Sequence, residues 1–232
     1  MYARSLAVAA AIIPMLALAA CDSAARLGII GPSTFATVRF VNATDTPIDI
    51  ATSGTIATGN GALTFGTSSN CILVDERAAN VTVLRTGVNS TIVGFAPTFQ
   101  KGGSFTVIIY PGVGGVPQFA VLPNAFNPNL NRGGFRAFNG VGVGTNFDVF
   151  VTVSGEVLRT ASVNNVTFGS GSGFVNVDAT TVQQVRITNA GSAVVVLDAG
   201  NQSFVSGGNS TFVIAPPGPG STTLRTFQSQ AC

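Results

Sequence analysis

Two aspartates recur at matching places in this chain. Asp49 lies in Ile48-Asp49-Ile50 and Asp148 in Phe147-Asp148-Val149. Paired carboxylates are the raw material of acid–base catalysis and of cation sites. Their surroundings argue against both uses. Calcium asks for six or more oxygen ligands, yet only Asp45 is near Asp49 in sequence and no acid is near Asp148. The two glutamates, Glu76 and Glu156, fall in different halves of the chain. Histidine is absent, which removes Ser-His-Asp and Cys-His arrangements and an ordinary zinc site. A strand or turn aspartate more often accepts backbone N–H bonds. Asp49 and Asp148 therefore stand as candidates for ligand contact. No catalytic residue, metal ligand or cofactor is assigned.

Arg39 and Arg136 also match between the halves. They could meet an acidic partner, but a strand arginine pointing outward and covering apolar surface with its stem is the commoner arrangement. Gly140 to Gly144 and Gly169 to Gly173 alternate glycine with other residues. Neither run opens a helix or carries the Lys-Ser/Thr of a phosphate loop, so both read as turns and flexible loops.

Three cysteines remain. A positive start at Arg4 precedes an apolar run from Leu6 to Ala20, too short for a membrane span and typical of a secretory signal. Leu18-Ala19-Ala20-Cys21 then looks like a bacterial lipobox, with cleavage before Cys21 and a diacylglycerol on its sulfur. Asp22 resembles the signal for retention in the inner membrane of enterobacteria. Lipidation would leave Cys71 and Cys232 as the only thiols. Export favours a disulfide between them; the competing reading is an inert Cys71 with a free thiol at Cys232.

These residues must be held by strands. Residues 22–34 read as a tether of at most about 45 Å. Beyond it, valine, threonine, phenylalanine and asparagine dominate, with 28 glycines, and short apolar runs are broken by Gly, Asn, Ser and Pro. That pattern predicts an all-β protein. Val38 and Phe40 alternate with Arg39 and Val41, the period of a strand. The eleven basic residues fall to ten without Arg4, against nine acids, so nothing suggests nucleic acid.

The pattern then repeats. Phe135 to Gly140 echoes Val38 to Ala43, Phe147-Asp148-Val149 echoes Ile48-Asp49-Ile50, and Val166 to Gly169 echoes Leu63 to Gly66. Phe174 to Asp178 echoes Cys71 to Asp75, which sets Cys71 against Phe174. Gly207-Gly208 echoes Gly102-Gly103, and Phe212-Val213-Ile214 echoes Phe105-Thr106-Val107. Matches in one order are a tandem duplication. We expect two separate Ig-like β-sandwich domains over 35–123 and 132–232, with residues 124–131, rich in Asn and Pro, as linker.

Val-x-Phe-Val-Asn-Ala-Thr, the turn ending at Pro47, the Ile-Asp-Ile strand, Phe65-Gly66 and the late Gly-Gly-x-Phe-Thr-Val together resemble domain-of-unknown-function family 4397. The resemblance covers about residues 35–123 and 131–230. It implies tandem two-layer β domains in a bacterial secreted or surface protein, with no known activity. Members often carry histidine where Asn42 and Asn139 stand here. The expectation is thus a lipoprotein of the bacterial envelope, held to the bilayer through acylated Cys21, on the periplasmic side of the inner membrane or in the outer membrane. It would bind an envelope protein or glycan or serve a structural role, and would not be an enzyme. The alternatives are a carbohydrate-processing hydrolase built on Asp49 or Asp148 and a solute-binding lipoprotein with a cleft between the copies.

Overall fold

The computed structural model describes residues 35–58, 61–75, 80–88 and 90–232. The signal segment, Cys21, the tether and Glu76 lie outside the described residues. The described chain is built of strands, with one 3₁₀ turn at Val113–Gly115. Among the described residues no helix is long and apolar enough to cross a membrane.

The first half holds β1 (Phe35–Asn42), β2 (Ile48–Thr52), β3 (Thr55–Ile56), β4 (Ile72–Asp75), β5 (Val81–Arg85), β6 (Ser90–Phe95), β7 (Ser104–Pro111) and β8 (Pro117–Pro123). The second holds β9 (Arg132–Asn139), β10 (Asn146–Val153), β11 (Val163–Thr167), β12 (Val175–Asp178), β13 (Gln183–Asn189), β14 (Val195–Gln202), β15 (Asn209–Ala215) and β16 (Arg225–Gln230). They form four sheets of four strands: β4-β1-β7-β8 with β3-β2-β5-β6, and β12-β9-β15-β16 with β11-β10-β13-β14. The orders match position for position, so the duplication read from the sequence is a duplication of topology. The protein is all-β, in two sandwich-like bodies.

Each body closes on its own core because its strands alternate. In the first, Val38, Phe40, Val107 and Ile109 face Ile48, Ile50, Val81 and Val83 of the opposite sheet. In the second, Phe135, Ala137, Phe212 and Ile214 face Val149, Val163, Val185 and Ile187. Strand register also corrects one sequence match. Val38 pairs with Phe105 across the parallel β1–β7 ladder, whereas Phe135 pairs with Ser210 across β9–β15. Phe212 is therefore the counterpart of Val107, not of Phe105. The sequence echo had slipped by two residues, which keeps the same face and so leaves the apolar pattern intact.

A third core joins the bodies. Val41, Ala43, Ile108 and Tyr110 of the first pack with Phe138 and Val213 of the second. The β1–β7 and β9–β15 sheets are thus covered on both faces, which accounts for the nearly continuous burial of β7, β9 and β15. The separate domains expected from the sequence are in contact through a shared apolar layer. Equivalent positions of the two bodies both belong to it: Val41 and Phe138, and Ile108 and Val213. The rim repeats in both directions. Phe227 on β16 sets its ring edge-on to Phe65 of the first body, and Tyr110 on β7 does the same to Phe168 of the second. Gly66 and Gly169, beside those phenylalanines, both have positive φ. A Cβ at Gly169 would come within 2.6 Å of the Tyr110 hydroxyl, so glycine is needed there for conformation and for closeness.

Two buried asparagines do the same work in each body. Asn42 Nδ2 donates to the carbonyls of Thr46 and Leu63, and its Oδ1 accepts from Thr44 N–H. Asn139 Nδ2 donates to the carbonyls of Thr145 and Val166, and its Oδ1 accepts from Val141 N–H. Both side chains are fully buried, and each pins the loop that leads into the facing sheet. Removing such a side chain strands carbonyls inside the protein. Asn139→Ala is expected to cost about 2 kcal/mol in urea unfolding, and a loss below about 0.5 kcal/mol would contradict the role given to this side chain.

Candidate functional site

The positions singled out from the sequence do not converge on one site. Asp49 and Asp148 occupy matching places on β2 and β10, opposite Leu84 and Thr188. Their environments differ. Asp148 is buried, and its carboxylate oxygens accept from the N–H groups of Asn165 at 2.7 Å and Gly191 at 2.8 Å. Asp49 is half-buried. Asp148 lies in a shallow cleft of about 400 Å³ whose other charged side chain is Arg159. No second acid lines this cleft, and no group of three or more metal-ligating side chains occurs among the described residues. Two fixed N–H donors make Asp148 a brace between the β11 region and the β13–β14 turn. Acid–base chemistry would need a partner group that the cleft does not supply.

Arg136 departs most from the sequence reading. An outward, solvent-facing arginine was expected; the side chain is 2% exposed. Its Nε donates to Thr211 Oγ1, Nη1 to the Pro123 carbonyl and Nη2 to Asn124 Oδ1. The guanidinium carbon lies 4.5 Å from the centre of the Phe174 ring. The face opposite Phe135 and Ala137 would meet water in an isolated sandwich, but here it meets the connecting segment and the other body. Burial lowers the Arg136 pKa to about 10, which leaves it charged at neutral pH with neutral acceptors only.

That contact also defines the stretch expected to be a linker. Asn124 is buried; its Oδ1 accepts from Thr106 Oγ1 of the first body as well as from Arg136 of the second. Asn209 Nδ2 donates to the carbonyls of Asn124 and Phe126, and Phe126 stacks on Phe174. The segment between β8 and β9 is bonded to both bodies along its first residues.

Arg39, the counterpart of Arg136, is half-buried and donates from Nη2 to Cys71 Sγ at 3.2 Å. Cys71 and Cys232 form a disulfide with a Cα–Cα distance of 5.7 Å, inside the usual range. It joins the start of β4 in the first body to the end of the chain after β16 in the second.

A further contact between the bodies has no local signature in the sequence. Arg225 Nη1 pairs with Asp45 Oδ1 at 2.6 Å, and its guanidinium carbon lies 3.7 Å from the centre of the Phe65 ring. The residues come from a turn and an edge strand 180 positions apart, and nothing local links them. At one end of the interface, Pro111, Val113, Val141, Val143, Phe168 and Pro216 line an uncharged groove of about 330 Å³.

No protein-family model matches the chain. No curated protein matches it either.

Proposed function

We propose that this chain is a lipid-anchored protein of the bacterial envelope, a tandem member of domain-of-unknown-function family 4397, that acts by binding or as a structural element without catalysis. The observation that carries this reading is the Leu18-Ala19-Ala20-Cys21 sequence behind a positive start and an apolar run. Acyl chains on one cysteine contribute about 0.8 kcal/mol per buried CH₂, enough in combination to hold a protein on a bilayer. The duplicated sandwiches and the recurrence of the family's short motifs in both halves support the family assignment.

The polar chemistry of the described residues supports a non-catalytic role. Asn42, Asn139 and Arg136 are bonded by the chain itself, and Asp148 braces β11 against the β13–β14 turn. Partners would be an envelope protein or a glycan, met by two halves joined through a shared core. A disulfide between Cys71 and Cys232 fits an oxidising compartment.

Mass spectrometry of the N-terminal peptide from membranes of an expressing bacterium tests the anchor. We expect a diacylglyceryl-modified Cys21 at the new N-terminus. Cys21→Ser should move the protein from the membrane to the soluble fraction. A mature chain that begins elsewhere, or a Cys21 without lipid, would overturn the reading.

A further inference from the structure

The disulfide sits in an asymmetric setting. Arg39 and Arg136 are equivalent residues, and so are Cys71 and Phe174, because Val38 pairs with Ile72 where Phe135 pairs with Val175. In the second body the arginine lies over the Phe174 ring and is held by three acceptors. In the first body the equivalent arginine reaches a sulfur instead. Its Nη2 lies 3.2 Å from Cys71 Sγ, and its Nε is buried without a hydrogen-bond partner among the described residues. One of the two sulfurs therefore has a guanidinium on it. At Cys232 the hydrogen bond found among the described residues is at the backbone, its carbonyl accepting from Ser104 Oγ at 3.4 Å.

We propose that the Cys71–Cys232 disulfide is a site of thiol–disulfide exchange, directed by Arg39 so that an incoming thiol becomes attached to Cys232. A thiolate of an external thiol attacks Cys232 Sγ along the S–S axis. The new S–S bond forms there, the Cys71–Cys232 bond breaks, and its electron pair leaves on Cys71 Sγ as a thiolate. The incoming thiol is oxidised to the mixed disulfide and Cys71 is reduced. The better leaving group is the sulfur whose thiolate is stabilised, and an adjacent arginine stabilises a thiolate. Attack at the other sulfur would expel Cys232, beside which no cation is found among the described residues.

Two further features suit the site to exchange. Cys71 and Cys232 are both exposed residues, so a small thiol has access. The bond also joins bodies already held together by the shared core, by Arg225–Asp45 and by the aromatic pairs at the rim. Opening it leaves those contacts in place, and the Cys71 thiolate stays beside Arg39, poised to attack the mixed disulfide and close the ring again.

The test is incubation of the folded, oxidised protein with reduced glutathione. Freed thiols are trapped with iodoacetamide, and peptides are mapped by mass spectrometry without reduction. The expected product carries glutathione on Cys232 and the carbamidomethyl group on Cys71, at least tenfold over the opposite pattern. Arg39→Gln should slow formation of the mixed disulfide about tenfold and bring the two patterns towards equality, while Arg39→Lys should keep most of the bias. Equal labelling of both cysteines in the native protein, glutathione chiefly on Cys71, or a disulfide that does not exchange while the protein stays folded would each overturn the proposal. The native site ratio decides the matter even if a variant fails to fold.

Discussion

A Phe138→Ala chain is expected to unfold about 4 kcal/mol more readily than the native protein, within the range of about 3–5 kcal/mol for losing a buried phenylalanine. Phe138 is fully buried, and its ring lies 5.2 Å from that of Tyr110 in the other body. The cavity would open in the layer the bodies share, so its cost falls on both. The native protein should melt in a single calorimetric transition covering both halves, and the variant should shift that whole transition. Two native transitions, with Phe138→Ala moving only one, would show that the bodies unfold independently and that the shared core does not couple them. A loss under about 1 kcal/mol, well below the same range, would show that the site collapses freely.

The second large effect is expected at Arg136. Arg136→Met keeps an apolar stem of similar length but removes the donors to Thr211, Pro123 and Asn124. Buried acceptors left unpaired cost about 1–3 kcal/mol each, against which the chain no longer has to bury a cation. We expect a net loss of about 3 kcal/mol, together with faster cleavage between Asn124 and Asn131 in limited proteolysis. Arg136→Lys should recover only part of this, because an ammonium cannot span three separated acceptors as a planar guanidinium does. Arg39→Met, at the equivalent half-exposed position, should cost under about 1 kcal/mol, the usual range for partly solvated contacts. Equal effects at the two arginines would contradict the division of roles described above.

The strands and the repeat were legible because period-two alternation and recurring short motifs are local signals. The Cys71–Cys232 pair followed from elimination once Cys21 was set aside. The shared core was not read, although a trace of it was present. Phe105 to Tyr110 is apolar at almost every position, as strands covered on both faces are. Arg136 was misread for the same reason. Alternation says which residues share a face, not whether that face meets water or another sheet. Asp148 and Asp49 look alike in sequence, yet only Asp148 takes the two N–H bonds described above, since these depend on how the β10–β11 and β13–β14 connections fold back. The Asp45–Arg225 pair carries no local signature at all.

That both bodies contribute equivalent positions to the shared core has a consequence for how such an interface is kept formed. Two free copies that packed through the same face would associate only in proportion to their abundance, and would separate on dilution. Covalent succession in one chain replaces that dependence with a local concentration set by a short, pinned connection, of millimolar order for short flexible joins. The paired state then holds even for a solitary molecule. It also frees the two faces from having to be identical, so that one half could keep Arg136 over a phenylalanine while the other placed Arg39 against a sulfur.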